Sequence, residues 1–193
     1  MSKEKVNHQR KWALAVSIWT FCLAICLGLA SQILLNRLSS LFLSFLILAA
    51  VICLGIVFDL VGTAAAAAKK SPLNAKASRK IAGAKQAVYL VHHAEKVANF
   101  CNDVVGDISG IVSGTLAALI ILKIASRWPG LAEGSGVYLS IVLTAMVAAF
   151  TVGGKALSKT VAINKSTEVI LIVGRVISKL EELAGLFSLR RRD

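Results

Sequence analysis

The sequence predicts an all-α membrane protein with about four transmembrane helices, a basic amphipathic juxtamembrane helix and a C-terminal amphipathic helix. Hydrophobic residues make up 56% of the 193 residues, and the mean hydropathy is +0.74. Charged residues are absent from four blocks, which are residues 12–36, 38–58, 108–122 and 134–154. A helix that crosses the hydrocarbon of a bilayer needs roughly 20 apolar residues, so three blocks are long enough and only the third is short.

The first block predicts an extra span behind a short N-terminal tail, so that residues 1–39 form a segment of their own. Its apolar run, residues 12–35, is much longer than the roughly 7–15 apolar residues of a cleaved signal peptide. Trp12 and Trp19 fit the membrane interface, where amphipathic rings are favoured. We therefore expect this span to be retained.

The positions of the basic residues predict the orientation. Of the 22 Lys and Arg, four lie in residues 1–11, seven in residues 69–96 and eight from Lys155 onward. Because basic residues are enriched on the cytoplasmic side, we expect both termini and the central basic segment to be cytoplasmic in an integral plasma (inner) membrane protein. Anionic lipid headgroups are then the expected partner of the net charge of +12. Nucleic acid is not an expected partner, since no basic surface interleaved with aromatic residues is visible.

The segment after the second span predicts a juxtamembrane helix. The alanines at 64–68 favour a helix that continues past the bilayer surface. Residues 71–98 have the pattern of a basic amphipathic helix on the cytoplasmic side, with Ser71 as its N-cap and Pro72 at its first position. Gly83 weakens the middle, which predicts a bend or two shorter helices.

The third span begins in a polar stretch, residues 99–107, which has to enter the membrane if the short apolar block is to cross it. A loop at residues 126–136 is predicted to follow, and the fourth span is predicted to end near Lys155. A last amphipathic helix is predicted from about residue 166 to residue 189, because its apolar residues form one stripe. Residues 181–193 form a basic C-terminal tail.

The third span carries a row of candidate cation ligands. Oxygen-bearing side chains recur there at every fourth position, in a row made of Asn99, Asp103 and Asp107. Residues four apart lie on one face of an α-helix, and a hard cation such as magnesium prefers oxygen ligands. Asp103 and Asp107 are therefore the candidate metal ligands, and bound Mg²⁺ is the only candidate cofactor. The alternative is a structural ion pair with Lys155 as the counter-ion.

A second row on the same helix contains Asn102 and three glycines, Gly106, Gly110 and Gly114. Small residues at every fourth position allow the backbone of another helix to come close in a membrane. Carbonyl or hydroxyl groups of that helix would then lie near the carboxylates, and Asn102 is a further candidate cation ligand. The same spacing is equally typical of plain helix packing or of a homodimer contact.

Three short motifs lie at the ends of successive predicted spans. They are Phe58-Asp59-Leu60-Val61-Gly62-Thr63-Ala64 at the end of a span, Val105-Gly106-Asp107 at the start of the next, and Gly154-Lys155-Ala156-Leu157-Ser158-Lys159-Thr160-Val161-Ala162 at the end of the last. This order resembles the transmembrane domain of the cyclin-M/CorC magnesium transporters. The resemblance covers residues 40–180 and is that of a divergent relative without the family's CBS domains.

The resemblance implies a homodimer with a cation pocket among three helices, reached from the cytoplasm. It adds Asp59, which stands where the family has a serine, to the candidate cation ligands. Lys155 stands where the family has a glutamate. The implied function is divalent cation transport or homeostasis, and the alternative is a structural or accessory membrane subunit that transports nothing. No enzyme activity is expected, because the sequence has no HExxH, GxSxG or P-loop motif.

Overall fold

The computed structural model describes residues 14–15, 17–26, 28–30, 32–33 and 40–189, and this part of the chain is all-helical. Three helices are long and apolar enough to cross a membrane, which are Leu41–Ala67, Ala94–Arg127 and Gly136–Asn164. The all-α class is therefore confirmed, and three helices have the length and composition that a membrane span requires. The predicted extra span contains a shorter apolar helix, Ser17–Ala30, so the number of about four spans stays a prediction. The N-terminal tail and residues 34–39 lie outside the described residues.

Helix α1 (Leu41–Ala67) continues through the alanine run, as predicted. Its 27 residues span about 40 Å, whereas the hydrocarbon of a bilayer is about 30 Å thick. Alanine has the highest helix propensity and little membrane preference, so the helix extends beyond the apolar part of the sequence. Its C-terminal half carries Asp59 and Thr63, the polar residues on which the candidate site depends.

The juxtamembrane segment contains two helices, α2 (Lys70–Ser78) and α3 (Ala84–His92). The predicted break is confirmed, since Gly83 has a left-handed backbone with φ of 77°. The predicted N-cap is wrong, because α2 already begins at Lys70 and no side chain caps it. Pro72 is then the third helical residue, a position in the first turn where its missing N–H costs no helix hydrogen bond.

The third span is one continuous helical run from Ala94 to Arg127 with a change of winding inside it. It consists of α4 (Ala94–Ala98), the π-helical segment π1 (Asn99–Gly106) and α5 (Asp107–Arg127). In a π-helix each backbone N–H bonds to the carbonyl five residues back instead of four. The polar stretch is therefore helical, as expected, but its side chains do not follow α-helical spacing.

The remaining chain forms two long helices, α6 (Pro129–Asn164) and α7 (Ser166–Leu189). The predicted loop at 126–136 is wrong, because only Trp128 separates α5 from α6. Pro129 takes the first helical position, where its fixed φ suits a helix start. The predicted end of the fourth span near Lys155 is also wrong, since α6 continues to Asn164. The predicted bounds of the last helix are confirmed.

The chain divides into two compact units. The first comprises the described parts of residues 1–55 and residues 107–151, and it buries Ser44, Ser109 and Ser113 among apolar residues. The second comprises residues 56–106 and 152–193. Its core joins the end of α1 to the juxtamembrane helices, α6 and α7, through Ala64, Ala65, Leu73, Ala84, Ala87, Val91, Ala162, Ile170 and Leu171.

Candidate functional site

Three buried side-chain oxygens in the second unit have no hydrogen-bond partner among the described residues. They are Asp59 Oδ2, Thr63 Oγ1 and Asn102 Oδ1, which we call the oxygen cluster. A native structure leaves few buried polar atoms unpaired, because each costs about 1–3 kcal/mol. The three atoms lie on two adjacent helices, α1 and π1, where water or a cation would satisfy them.

Helix geometry places Asp59 and Thr63, the two members of the oxygen cluster on α1, on one face of that helix. Asp59, Gly62 and Thr63 are spaced i, i+3 and i+4, so they share a helical face. Asn102 of π1 contacts α1 at Gly62, since a Cβ on that glycine would overlap the Asn102 amide oxygen. The absence of a side chain at Gly62 is thus what lets Asn102 approach the face that carries Asp59 and Thr63.

A lysine lies beside the cluster. Lys159 Nζ is 3.9 Å from Asp59 Oδ1, and the side chain of Lys159 is 54% exposed while that of Asp59 is 4% exposed. The long distance and the exposed partner make this a weak ion pair. One turn earlier on α6, Lys155 donates from Nζ to the carbonyl of Gly106 at 3.1 Å. The predicted role of Lys155 as counter-ion to Asp103 and Asp107 stays a prediction, and Lys159 is the lysine that reaches Asp59.

The π-helical winding changes which polar residues face inward. Asn99 and Asn102 are half-buried, whereas the side chains of Asp103 and Asp107 are exposed. Among the described residues no group of three or more His, Cys, Asp and Glu side chains is placed to hold a metal ion. Asn and Thr oxygens lie outside that set, and they supply two of the three atoms of the oxygen cluster. Whether Asp103 and Asp107 bind a cation stays a prediction.

The glycines of the second row differ in their surroundings. A Cβ on Gly106 would lie 3.2 Å from the carbonyl oxygen of Cys101 and 3.6 Å from Lys155 Nζ. At Gly110 and Gly114 a Cβ would meet no described atom within 4 Å. No described side chain or neighbouring helix therefore covers these two glycines. Their close contact with another helix stays a prediction, and a second copy of the chain would have to supply that helix.

Thr63, Gly62 and Lys159 were missed as site residues by the sequence reasoning. Asp59 gave a usable signal, since an acidic residue in the C-terminal half of an apolar helix marks a functional position in a membrane protein. Thr63 follows it by one helical turn and could have been added by the same spacing rule. Lys159 could not, because its contact with Asp59 depends on how α6 packs.

Comparison with known proteins gives no relative. No protein family, curated protein or solved structure matches this chain. The resemblance to the cyclin-M/CorC transporters therefore stays a prediction from the motifs.

Proposed function

We propose that this protein binds a divalent cation, with magnesium as the expected ion, at the oxygen cluster, and that it serves in divalent cation transport or homeostasis. The observation that carries the proposal is the set of three unpartnered buried oxygens from Asp59, Thr63 and Asn102. A carboxylate, a hydroxyl and an amide carbonyl are all hard oxygen donors, the type that Mg²⁺ and Ca²⁺ prefer. Magnesium keeps several waters when bound, so three protein donors suffice.

The position of Lys159 beside the oxygen cluster supports a site at which a bound cation can enter and leave. Lys159 is more than half exposed and lies 3.9 Å from Asp59, so its ammonium can leave at little cost. In the absence of metal it offsets part of the carboxylate charge. A divalent cation that enters would replace it, and the two cations therefore compete for one carboxylate.

The proposed assembly is a homodimer in the plasma (inner) membrane with both termini in the cytoplasm. The orientation is supported by the basic residues, which concentrate in the N-terminal tail, in residues 69–96 and after Lys155. The dimer is supported by the open surface at Gly110 and Gly114, where small residues would let a second helix approach.

A structural or accessory subunit that transports nothing is the second candidate function. It is favoured by the same Lys159–Asp59 contact, if the lysine stays in place and closes the cluster permanently. The oxygen cluster would then serve helix packing alone. The two functions differ in one measurable property, which is whether divalent ions change the stability of the protein.

The test is the melting temperature of the purified full chain in detergent, measured with magnesium, manganese, calcium and sodium. Millimolar magnesium should raise it, by a free energy of RT ln(1 + [L]/Kd). Asp59→Asn should abolish the response, and Asp103→Asn is the matched control on the exposed row. A response lost in Asp103→Asn but kept in Asp59→Asn would move the site to the carboxylate row. A parent that ignores every divalent ion would support the accessory subunit.

A further inference from the structure

A second site lies in the same unit, on a surface that the oxygen cluster does not use. A groove of about 620 Å³ runs between the C-terminal half of α1, helix α3, the start of π1 and α7. Its apolar lining includes Val57, Val61, Leu90, Phe100, Val173 and Ile177. Val57 and Phe100 are 54% and 52% exposed, so the described chain leaves about half of each uncovered. An apolar groove of this size can hold an apolar chain.

One edge of the groove carries a positive charge, that of Lys96. His93 lies beside it, and both side chains are exposed. A smaller adjoining cavity of about 370 Å³ shares Tyr89, Leu90 and Ile177 with the groove and adds Lys85. Glu181, which accepts a hydrogen bond of 2.9 Å from Gln86 Nε2, also lines that cavity, and its carboxylate offsets the charge of Lys85. The groove thus has an apolar floor and positive charge at its edge.

We propose that this groove binds one anionic phospholipid, with an acyl chain on the apolar floor and the phosphate beside Lys96. The arrangement matches such a molecule in both parts, since a lipid chain needs apolar walls and its phosphate needs a basic side chain. The proposal goes beyond the cation site, because none of the oxygen-cluster residues lines the groove.

Charge also decides against a second copy of the chain as the occupant. The chain carries a net charge of +12, and seven basic residues lie in residues 69–96, including Lys96 at the groove edge. Two copies that met through this groove would bring the same basic segments together, which is unfavourable. An anionic lipid instead neutralises Lys96, so it is the occupant that the surface favours.

The test measures lipid retention by the full chain. The protein is purified in detergent, incubated with phosphatidylglycerol or with phosphatidylcholine of the same acyl chains, and analysed by native mass spectrometry. We expect phosphatidylglycerol to be retained about fivefold more strongly than phosphatidylcholine. This is the gain in affinity that one basic residue near an anionic headgroup provides. Lys96→Gln should remove this preference. Lys179→Gln is the matched control, because Lys179 is exposed on α7 and does not line the groove.

A second pair of variants tests the apolar floor. Val57→Trp should fill the groove and reduce the retention of both lipids, while Leu54→Trp, an exposed residue of the same helix outside the groove, should not. Equal retention of both lipids by the parent, or equal effects of Lys96→Gln and Lys179→Gln, would overturn the proposal. So would a Val57→Trp variant that changes the oligomeric state and leaves lipid retention intact, because the occupant would then be a second copy.

Discussion

Gly83 and Gly174 bring the backbones of α3 and α7 into direct contact. A Cβ on Gly174 would overlap the carbonyl oxygen of Gly83 and lie 2.9 Å from the backbone N of Ala87. A Cβ on Gly83 would in turn overlap the backbone N of Arg175. Neither position has room for a methyl group, so the juxtamembrane helices and the C-terminal helix are held at a separation that only glycine permits.

This contact predicts that Gly174→Ala destabilises the protein. The added methyl group meets backbone atoms, which cannot rotate away, so the two helices have to separate at a cost of about 1–3 kcal/mol. The measurement is thermal unfolding of the full chain in detergent. Gly153→Ala is the matched control, because a Cβ at Gly153 would meet nothing within 4 Å. Equal melting temperatures for both variants would contradict the close contact.

The sequence was sufficient to predict those features that depend on local pattern. The long apolar blocks predicted membrane-spanning helices, Gly83 predicted the break between α2 and α3, and the apolar stripe predicted α7. The predicted loop at 126–136 is wrong, because α6 already covers most of these residues. Pro129 in fact begins a helix, a position in which proline is favoured.

The π-helical segment and the oxygen cluster depend on packing between distant residues. A π-helix has no distinctive side-chain pattern, so α-helical spacing placed Asn99, Asp103 and Asp107 in one row. Asn102 was named as a candidate, yet its contact with Gly62 joins residues of two helices and cannot be deduced from spacing. The residue types of the site were thus predictable in part, and their grouping was not.

The proposed orientation predicts where introduced cysteines react. Ser78, at the end of α2, and Ser126, near the end of α5, are both exposed. In a variant without the native cysteines, Ser78→Cys should react with a membrane-impermeant maleimide only from the cytoplasmic side, and Ser126→Cys only from the outside. The reason is the concentration of basic residues around residue 78. Labelling of residue 78 in intact cells would overturn the orientation.

The open glycines predict a variant that affects assembly without affecting the fold. Gly110→Leu adds a side chain where the described chain has no atom within 4 Å of the Cβ, so the fold of one copy should tolerate it. A close contact with a second copy would not, and the dimer should dissociate. The measurement is the molar mass in detergent by light scattering. Gly153→Leu, at another open position, should leave the dimer unchanged. A Gly110→Leu variant that stays dimeric would exclude this surface as the interface.

Removal of the lysine beside Asp59 separates competition from permanent closure. Lys159→Met should lower stability in metal-free buffer by less than about 1 kcal/mol, since the ion pair is long and exposed on the lysine side. If lysine and metal compete, the variant should respond to magnesium at a lower concentration than the parent. Lys165→Met, an exposed lysine at the end of α6, is the control. A variant that ignores magnesium as the parent does would leave no role for metal at Asp59.

The contact between Gly62 and Asn102 gives the sharpest test of the oxygen cluster. In Gly62→Ala the new methyl group would overlap the Asn102 amide oxygen and lie 2.9 Å from the Cβ of Cys101. The π-helical segment then has to move away from α1, so stability should fall by about 1–3 kcal/mol and the magnesium response should be lost. Gly153→Ala again serves as the control for an added methyl group.

A double variant distinguishes the loss of packing from the loss of a ligand. In Gly62→Ala with Asn102→Ala the amide is gone, so most of the overlap is relieved and part of the stability should return. The magnesium response should not return, because one of the three oxygen donors is missing. A double variant that regains both would show that Asn102 is a packing residue only. A single variant that loses stability yet keeps its full magnesium response would place the ion somewhere other than the oxygen cluster, since Asn102 moves with π1 when π1 moves away from α1.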